Sequence, residues 1–307
     1  MILVACLNPA LDITHEVAAV DWAGINRPRA VHERPGGKGL NVARTLHALG
    51  AEVLVTGLVG GTTGTGVAVA LSEYGVRTAL TSVYGPTRRT FTVVDERGAV
   101  ASFYEPGPVV GAAEFAGFLD DYREALADAD AVVLSGSLPP GLPDSTYAAL
   151  IEAAREVPVV LDVHGEALRL GAAAGPAIVK PNLAELGALA GQSLAPAATV
   201  DAADELRRAG AQAVVVTLGR DGLLAVTPDG RWHARPPATV TGNATGAGDA
   251  VAAALAHGLV LGRPWDEQLR HAVALGAATA AAPVAGEFRS GDYTAALTAT
   301  TVEKVVG

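Results

Sequence analysis

Cysteine is almost absent from this sequence, and its scarcity excludes two classes of protein. Cys6 is the only cysteine among 307 residues, so the chain can form neither an intramolecular disulfide nor a cysteine-based metal site. The apolar run of residues 2–7 lacks a basic flank and stops at Asn8 and Pro9, a pattern that argues against a secretory signal peptide. We therefore expect a cytoplasmic protein with an ordinary hydrophobic core.

Long hydrophobic runs and positive charge are also lacking. No uninterrupted apolar stretch reaches the roughly 20 residues that a membrane-spanning helix needs. The formal net charge is −10, whereas proteins that bind nucleic acid through its phosphates normally present a basic face. We therefore expect neither a membrane nor a nucleic acid as partner, and cations beside glycine-rich loops become candidates for anion binding.

Several well-known sequence signatures are missing as well. The chain has no Walker phosphate loop and no G-x-G-x-x-G dinucleotide fingerprint. It also lacks the H-E-x-x-H pattern of zinc proteases and the G-x-S-x-G turn of serine hydrolases. Those four kinds of active site are therefore not indicated.

Short apolar runs alternate with helical patterns along most of the chain. This alternation predicts a Rossmann-like α/β fold, a doubly wound and mainly parallel sheet with helices on both faces. The C-terminal third is predicted to be mostly helical. The predicted strands cover residues 2–7, 53–57, 131–134, 159–163, 177–179 and 213–218. The predicted helices cover residues 40–49, 66–74, 114–127, 145–156, 183–189, 200–209, 246–261, 266–282 and 293–300.

Two segments depart from this alternation. Residues 11–35 alternate polar and apolar side chains, and residues 90–104 form a hairpin pattern around the turn at 95–98. Both are typical of half-exposed antiparallel strands, so we predict a small β-sheet lid from 11–35 and 87–104. Residues 1–10, 36–86 and 105–307 are then the large domain that binds nucleotide and substrate.

The most informative motif is Thr-Gly-Asn-Ala-Thr-Gly-Ala-Gly-Asp-Ala at residues 241–250, just before an apolar helix. The small residues Gly246, Ala247 and Gly248 allow backbone N–H groups to converge on an anion at the helix N-terminus. Asp249 would then lie where it can accept the proton of an attacking hydroxyl. The alternative is an ordinary acidic residue stabilised by the helix dipole.

A second glycine-rich segment, Pro-Gly-Gly-Lys-Gly-Leu-Asn at residues 35–41, also precedes a helix. Gly37 leaves room for a ligand to approach the backbone, and Lys38 and Asn41 offer a charge and an amide. A tight turn between strand and helix is the alternative. Three glycines in four positions exceed what a turn needs, so we favour ligand binding.

Three further segments follow predicted strands. Asn182 and Glu185 lie three apart after Lys180 and could hold a hydrated Mg²⁺, although taken alone they are better explained by a helix capping box. The segment from Thr217 to Gly222 could line a nucleotide site, but taken alone it favours a plain turn. Ser137 lies in a proline-rich loop at another strand end, where ligands of doubly wound sheets bind.

In this order the segments resemble the PfkB-type sugar kinases of the ribokinase superfamily, over nearly the whole chain. Asn8-Pro9-Ala10-Leu11-Asp12 is similar to the family's N-terminal substrate motif, and the two glycine segments are similar to its two signatures. Lys38, Thr87-Arg88 and the loop 135–141 resemble the 1-phosphofructokinase and tagatose-6-phosphate kinase branch. The resemblance implies a ribokinase-like fold, ATP and Mg²⁺, in some members a monovalent cation such as K⁺, and a homodimer formed through the lid.

The resemblance also implies roles for individual residues. Gly246, Ala247 and Gly248 would form an anion hole beside the base Asp249. The sugar would contact Asp12, Gly37, Lys38, Asn41 and Ser137, and its phosphate would bind Arg27 and Arg88. ATP would contact Lys180, Asn182, Thr217, Gly219 and Gly222, and Glu185 would hold Mg²⁺ through water.

The implied reaction is phosphorylation of a ketohexose phosphate, with fructose 1-phosphate as leading acceptor and fructose 1,6-bisphosphate as product. Tagatose 6-phosphate and fructose 6-phosphate remain alternatives, as do a nucleoside kinase, a kinase of unphosphorylated sugars and a non-catalytic sugar-phosphate sensor. Two positions depart from the branch: Val163-His164 replaces small hydroxyl residues, and Thr90 stands where Asn is common.

Overall fold

The computed structural model describes residues 1–237, 245–282 and 286–305. In this part of the chain most strands belong to one ten-stranded sheet in the order β14-β13-β12-β11-β10-β9-β8-β1-β4-β5. Its strands are β1 (Ile2–Cys6), β4 (Val53–Val59), β5 (Arg77–Ser82), β8 (Ala131–Ser135), β9 (Val159–Asp162), β10 (Ile178–Val179), β11 (Ala213–Thr217), β12 (Leu223–Thr227), β13 (Gly230–Arg235) and β14 (Thr301–Val305). The run from β5 to β11 is parallel, and β12 to β14 are antiparallel.

Helices cover both faces of this sheet, which confirms the predicted fold class. Successive residues of β1 point to opposite faces, so Ile2 and Val4 pack in one core and Leu3 and Ala5 in the other. Burying each large aliphatic side chain contributes about 1.5–3 kcal/mol. The helices are α1 (Lys38–Ala48), α2 (Gly61–Glu73), α3 (Ala112–Leu126), α4 (Thr146–Ala153), α5 (Gly165–Ala173), α6 (Leu183–Leu189), α7 (Pro196–Ala209), α8 (Ala247–Val260), α9 (Trp265–Ala281) and α10 (Ser290–Ala299).

The order of the strands reverses at β1, which lies between β4 and β8. The chain first builds the sheet outward through β4 and β5 and then returns to the other side of β1 with β8. In doubly wound folds a crevice opens outside the carboxyl ends of the strands at such a reversal. The loops after β1 and β8 are therefore placed to border a ligand site.

The predicted lid is a separate four-stranded sheet in the order β3-β2-β6-β7. It consists of β2 (Ala10–Val17), β3 (Ala30–Gly36), β6 (Arg88–Asp95) and β7 (Val100–Tyr104). The two hairpins are antiparallel as expected, but the central strands β2 and β6 pair in parallel. Both strands enter the lid from the carboxyl edge of the parallel sheet, so they run in the same direction.

The sequence prediction was wrong for part of the C-terminal third, where β12, β13 and β14 extend the sheet. The edge strand β14 and its neighbour β13 have polar, partly exposed residues, and they lack the apolar run that identifies a buried strand. The sequence prediction also omitted β5 and α5. Four of the six residues of β5 are polar, and Gly171 interrupts the helical pattern of α5. In the described residues no helix combines the length and apolar character needed to cross a bilayer.

Candidate active site

A cavity of about 430 Å³ opens at the point where the strand order reverses. It is bordered by the segments that follow β1 and β8, by the first residue of α1 and by one edge of the lid. Three residues predicted to bind substrate, Lys38, Arg88 and Ser137, line it. The remaining lining residues are Cys6, Asn8, Tyr104, Glu105, Pro106, Gly136, Leu138 and His164.

Asn8 is hydrogen-bonded to three of the segments that surround this cavity. Its Nδ2 donates to Ser137 Oγ and to the Pro106 carbonyl, each at 3.1 Å. The Asn8 carbonyl accepts a hydrogen bond from Arg88 Nε, also at 3.1 Å. Since Arg88 begins β6, these contacts hold the lid strand against the loops of the large sheet and fix the position of its guanidinium beside the cavity.

Asp12 and Gly36 are diagonal neighbours on the paired strands β2 and β3, where β3 runs into the glycine loop. A Cβ on Gly36 would lie 2.0 Å from the Asp12 carboxyl group, so only glycine lets this carboxylate lie there. Asp12 Oδ1 also accepts a hydrogen bond of 2.6 Å from the Thr90 hydroxyl. Thr90, one of the two unusual positions, therefore holds a predicted substrate-binding group in place.

The glycine loop ends at the N-terminus of α1. Gly37 has φ +91°, a left-handed conformation that costs little only for glycine. This turn places Lys38 at the first position of the helix and Asn41 one turn later. The structure thus brings Lys38 to the cavity and directs Asn41 toward the second glycine-rich segment.

Asp249 lies in the first turn of α8, which begins after Gly246 at φ +85°. Residues 241–244 of this motif fall outside the described residues. Asp249 is 6% exposed, and its Oδ2 accepts a hydrogen bond of 2.8 Å from Asn41 Nδ2. The two glycine-rich segments, more than 200 residues apart in sequence, therefore meet through one direct hydrogen bond.

Burial and the charge of Asp162 raise the pKa of Asp249 to about 7, against the hydrogen bond from Asn41 and the charges of Lys38 and Lys180. A carboxyl group with a pKa near 7 exchanges its proton readily at neutral pH, which suits a general base. Its position at a helix N-terminus also favours an anion beside it.

The sequence interpretation gave no role to Asp162, the last residue of β9. Its side chain is completely buried, and its Oδ1 lies 3.2 Å from both Lys38 Nζ and Lys180 Nζ. Within the described residues its Oδ2 has no hydrogen-bond partner. One sequence signal was available, because a carboxylate that follows an apolar strand stands at the ligand-binding edge of the sheet.

Lys38 connects the cavity with this buried carboxylate. Its Nζ also lies 3.4 Å from Glu185 Oε1. Burial lowers the pKa of Lys38, but the charges of Asp162, Glu185 and Asp249 outweigh burial and raise it overall. The ammonium group therefore stays protonated at neutral pH and can attract an anion.

Lys180 contacts the same Asp162 oxygen as Lys38 and reaches the start of α8. It is 3% exposed, and a Cβ on Gly248 would lie 3.6 Å from its Nζ. An ammonium group thus stands over the helix N-terminus that carries Gly246, Ala247 and Gly248. The arrangement places a cation close to Asp249, in a protein whose net charge is −10.

Asn182 and Glu185 form the capping box that the sequence allowed as an alternative. Asn182 Oδ1 accepts from the Glu185 backbone N–H, and Glu185 Oε2 accepts from the Asn182 N–H, both at 2.8 Å. Thr217 is the last residue of β11, and its backbone pairs with that of Asn182 in a single parallel β-bridge. Gly219 and Gly222 adopt positive φ in the short turn that leads to β12, so that turn stands at the same sheet edge.

A divalent cation can be accommodated here only with water and substrate oxygens. The described residues contain no cluster of three or more His, Cys, Asp or Glu side chains suited to bind a metal. The capping box engages Glu185 Oε2, and Oε1, which lies 3.4 Å from Lys38 Nζ, has a second lone pair that can accept from a water. Mg²⁺ commonly keeps several waters and binds through one or two carboxylates. Glu185 therefore fits the role of a water-mediated ligand.

Of the predicted substrate-binding residues, Asp12, Gly37, Asn41 and Arg27 are not among those that line the cavity. Arg27 is also distant along the lid. It is exposed and lies in the connection between β2 and β3, beyond the paired residues Glu16 and Ala30. Arg88 instead pairs with Ala10 at the opposite end of β2. Since a strand rises about 3.3 Å per residue, the length of β2 separates the two cations within one chain.

Comparisons with known proteins agree with this geometry. Residues 6–288 match the family described as pfkB family carbohydrate kinase. The chain is 35% identical to 1-phosphofructokinase of Bacillus subtilis (strain 168) over 285 residues, 91% of this chain and 92% of the relative. Phosphofructokinase-2 from Escherichia coli in complex with potassium superimposes with a TM-score of 0.89 at 30% identity, covering 97% of each chain. Its complex with fructose-6-phosphate gives 0.86 at 30% identity, again over 97% of each chain.

Proposed function

Because the chain belongs to the pfkB family of carbohydrate kinases, we propose that it transfers the terminal phosphate of ATP to a hydroxymethyl group of a ketohexose phosphate. Fructose 1-phosphate is the leading acceptor and fructose 1,6-bisphosphate the product. The relative at 35% identity is a 1-phosphofructokinase, which supports this acceptor. Fructose 6-phosphate, which is bound in the similar Escherichia coli enzyme, and tagatose 6-phosphate are the second choices.

The observation that carries the proposal is the position of Asp249 between two cationic regions. On one side, Lys38 and Arg88 line the cavity in which the acceptor would bind. On the other, Lys180 stands over the first turn of α8. A hydroxyl held beside Asp249 would lose its proton to the carboxylate as its oxygen attacks the terminal phosphorus of ATP, and ADP would leave.

The protein contributes mainly position and charge to this transfer, as expected for phosphoryl transfer. Backbone N–H groups at Gly246, Ala247 and Gly248 would stabilise the charge on the transferring group. Lys180, Asn182, Thr217, Gly219 and Gly222 would contact ATP. Bound Mg²⁺, held through water by Glu185, would neutralise phosphate charge. The potassium in the Escherichia coli structure supports a monovalent cation as a further requirement.

The acceptor side is suited to a sugar that already carries a phosphate. Arg88 donates through Nε to the Asn8 carbonyl and through Nη1 to the Glu105 carbonyl at 3.4 Å, so its guanidinium is oriented at the cavity edge. Asp12, Gly37, Asn41 and Ser137 would contact the sugar itself. A neutral sugar or a nucleoside would offer no anion to the guanidinium of Arg88, which disfavours these alternatives.

Initial rates of ADP formation with a panel of acceptors test the proposal. The panel contains fructose 1-phosphate, fructose 6-phosphate, tagatose 6-phosphate, free fructose and adenosine. We expect kcat/KM for fructose 1-phosphate to exceed that for free fructose by at least about 100-fold, because charge-assisted contacts to a phosphate contribute about 1.5–3 kcal/mol each. Equal efficiency on the two would contradict the proposal, and no turnover with any acceptor would favour a sugar-phosphate sensor.

A homodimer formed through the lid is part of the proposed assembly. Several large apolar side chains of the lid are exposed, among them Trp22, Ile25, Val100 and Phe103. Exposed apolar patches of this kind typically mark protein contacts, and a second copy of the chain would cover them. A tetrameric inhibited form is known for the similar Escherichia coli enzyme. Arg27 as a phosphate ligand and a cytoplasmic location stay predictions.

A further inference from the structure

Asn41 is hydrogen-bonded at both ends of its side-chain amide. Its Nδ2 donates to Asp249 Oδ2 at 2.8 Å, and its Oδ1 accepts from Arg44 Nη2 at 2.7 Å. A guanidinium can only donate hydrogen bonds and an ionised carboxylate can only accept them. The two partners therefore allow one orientation of the amide, with oxygen toward Arg44 and nitrogen toward Asp249.

Arg44 is held in place by neighbours outside the acceptor cavity. It lies three residues after Asn41 on the same face of α1 and is 7% exposed. Its guanidinium carbon lies 5.5 Å from the centre of the Tyr74 ring, a distance suited to a cation–π contact. A Cβ on Gly286 would lie 3.3 Å from both Arg44 Nη2 and Asn41 Oδ1, so the backbone there covers their hydrogen bond.

We propose that Arg44 is a positioning residue that acts on Asp249 through Asn41, by fixing the amide so that its NH₂ group faces the carboxylate. This inference rests on the proposed role of Asp249 as base. Without Arg44 the amide is free to turn its oxygen toward Asp249. An amide oxygen, which can only accept hydrogen bonds, is unfavourable beside the ionised carboxylate of Asp249 and favourable beside its protonated form.

Replacing Arg44 should therefore impair the base without weakening ATP binding. For Arg44→Met, we expect kcat to fall about 10–100-fold, which is the range expected for one charge-assisted hydrogen bond. The KM for ATP should stay within about twofold of wild type. The acid limb of the kcat/KM profile should move to higher pH, because loss of the Asn41 donor raises the pKa of Asp249.

Two matched variants separate this role from general damage to the fold. Arg77→Met removes an exposed arginine that pairs with Glu52 at 2.7 Å, and it should leave kcat and the pH profile unchanged. Arg44→Lys keeps a charged donor but not the planar fork of arginine. It should show a smaller fall in kcat and a pH shift in the same direction.

A double-mutant cycle with Asn41→Ala decides whether Arg44 acts through Asn41. If it does, Arg44→Met in the Asn41→Ala background should change kcat less than about twofold, because interacting residues are not additive. The same cycle is run with Arg44→Lys if the methionine variant does not fold. An unchanged acid limb in the single variant, or a full additional loss in the Asn41→Ala background, would overturn the inference.

Asp249→Asn distinguishes failure of this inference from failure of the proposed function. If Asp249→Asn is inactive while the Arg44 variants behave like wild type, only the positioning role is wrong. If Asp249→Asn retains wild-type kcat, the assignment of the base is wrong, and the inference is overturned with it.

Discussion

Lys180 Nζ lies 3.2 Å from Asp162 Oδ1, and neither side chain is more than 3% exposed to solvent. The same carboxylate oxygen is 3.2 Å from Lys38 Nζ. One buried anion thus holds a cation of the acceptor side and a cation of the nucleotide side. Each lysine is kept near the place where substrate phosphates would meet, at the cost of burying the charges of Asp162 and Lys180.

Removing this anion should destabilise the protein strongly. Asp162→Asn leaves the buried ammonium group of Lys180 without its ion-pair partner and leaves Lys38 paired with Glu185 alone. Breaking a buried pair costs about 3–5 kcal/mol. Urea unfolding gives the free energy of unfolding directly. The matched control is Glu52→Gln, which breaks an exposed pair with Arg77 and should cost no more than about 1 kcal/mol. Equal costs for the two substitutions would contradict the structural role of Asp162.

The activity should fall as the pH is lowered through neutrality. Burial and Asp162 raise the pKa of Asp249 to about 7, and a general base acts only when it is deprotonated. The kcat/KM profile, which reports the free enzyme, should therefore decline about tenfold per pH unit below roughly pH 6. A rate that stays flat down to pH 5 would show that the pKa of this carboxyl is not raised.

The phosphate of the sugar substrate also titrates near pH 6. A second measurement must therefore show whether the acid limb of the kcat/KM profile comes from Asp249 or from the substrate. The pH profile of Asp162→Asn makes this distinction. Removing the neighbouring negative charge lowers the pKa of Asp249 and should move the acid limb to lower pH. A limb caused by the acceptor would stay in place in this variant. Arg44→Met is expected to move the limb in the opposite direction.

Arg88 should be needed for the acceptor and not for ATP. Arg88→Met removes a cation that lines the cavity, and we expect kcat/KM for the hexose phosphate to fall about 10–100-fold. The KM for ATP should hardly change. Arg89→Met is a close control, since Arg89 pairs with Glu105 at 3.0 Å on the lid surface. Equal losses in the two variants would argue against a specific phosphate contact by Arg88.

The lid should hold two copies of the chain together. Phe103 is 55% exposed on β7, and Val69 is 53% exposed on α2 outside the lid. Sedimentation velocity should show a dimer for the wild-type protein and for Val69→Asp, but a monomer for Phe103→Asp. A wild-type monomer at micromolar concentration, or a dimer that Phe103→Asp leaves intact, would contradict an interface through this surface.

The parallel core and both glycine-rich segments could be predicted because their signals are local. Apolar runs such as residues 131–134 need only their own sequence to indicate a buried strand. Gly37 and Gly246 precede helices in the structure as they do in the prediction. The lid was recognised for the same reason, since its hairpin at residues 90–104 alternates and carries its own turn.

The parts that could not be predicted depend on segments that meet only in the folded chain. Asp162 gains its importance from lysines 124 residues before it and 18 residues after it, and no local pattern marks that meeting. The same holds for Arg44, because it is connected to Asp249 only through the hydrogen bonds of Asn41, and Asp249 is distant in sequence. The edge strand β14 and its neighbour β13 lack the buried faces on which periodicity depends.

The role of Asp249 as the base is the central claim, and the kcat of Asp249→Asn tests it most directly. The measurement uses saturating ATP and fructose 1-phosphate, with circular dichroism to verify the fold and calorimetry to verify ATP binding. Loss of a general base costs about 10²–10⁴ in rate, so we expect kcat to fall by that factor while the affinity for ATP stays near the wild-type value. A folded Asp249→Asn protein that binds ATP and keeps a near-normal kcat would contradict the account.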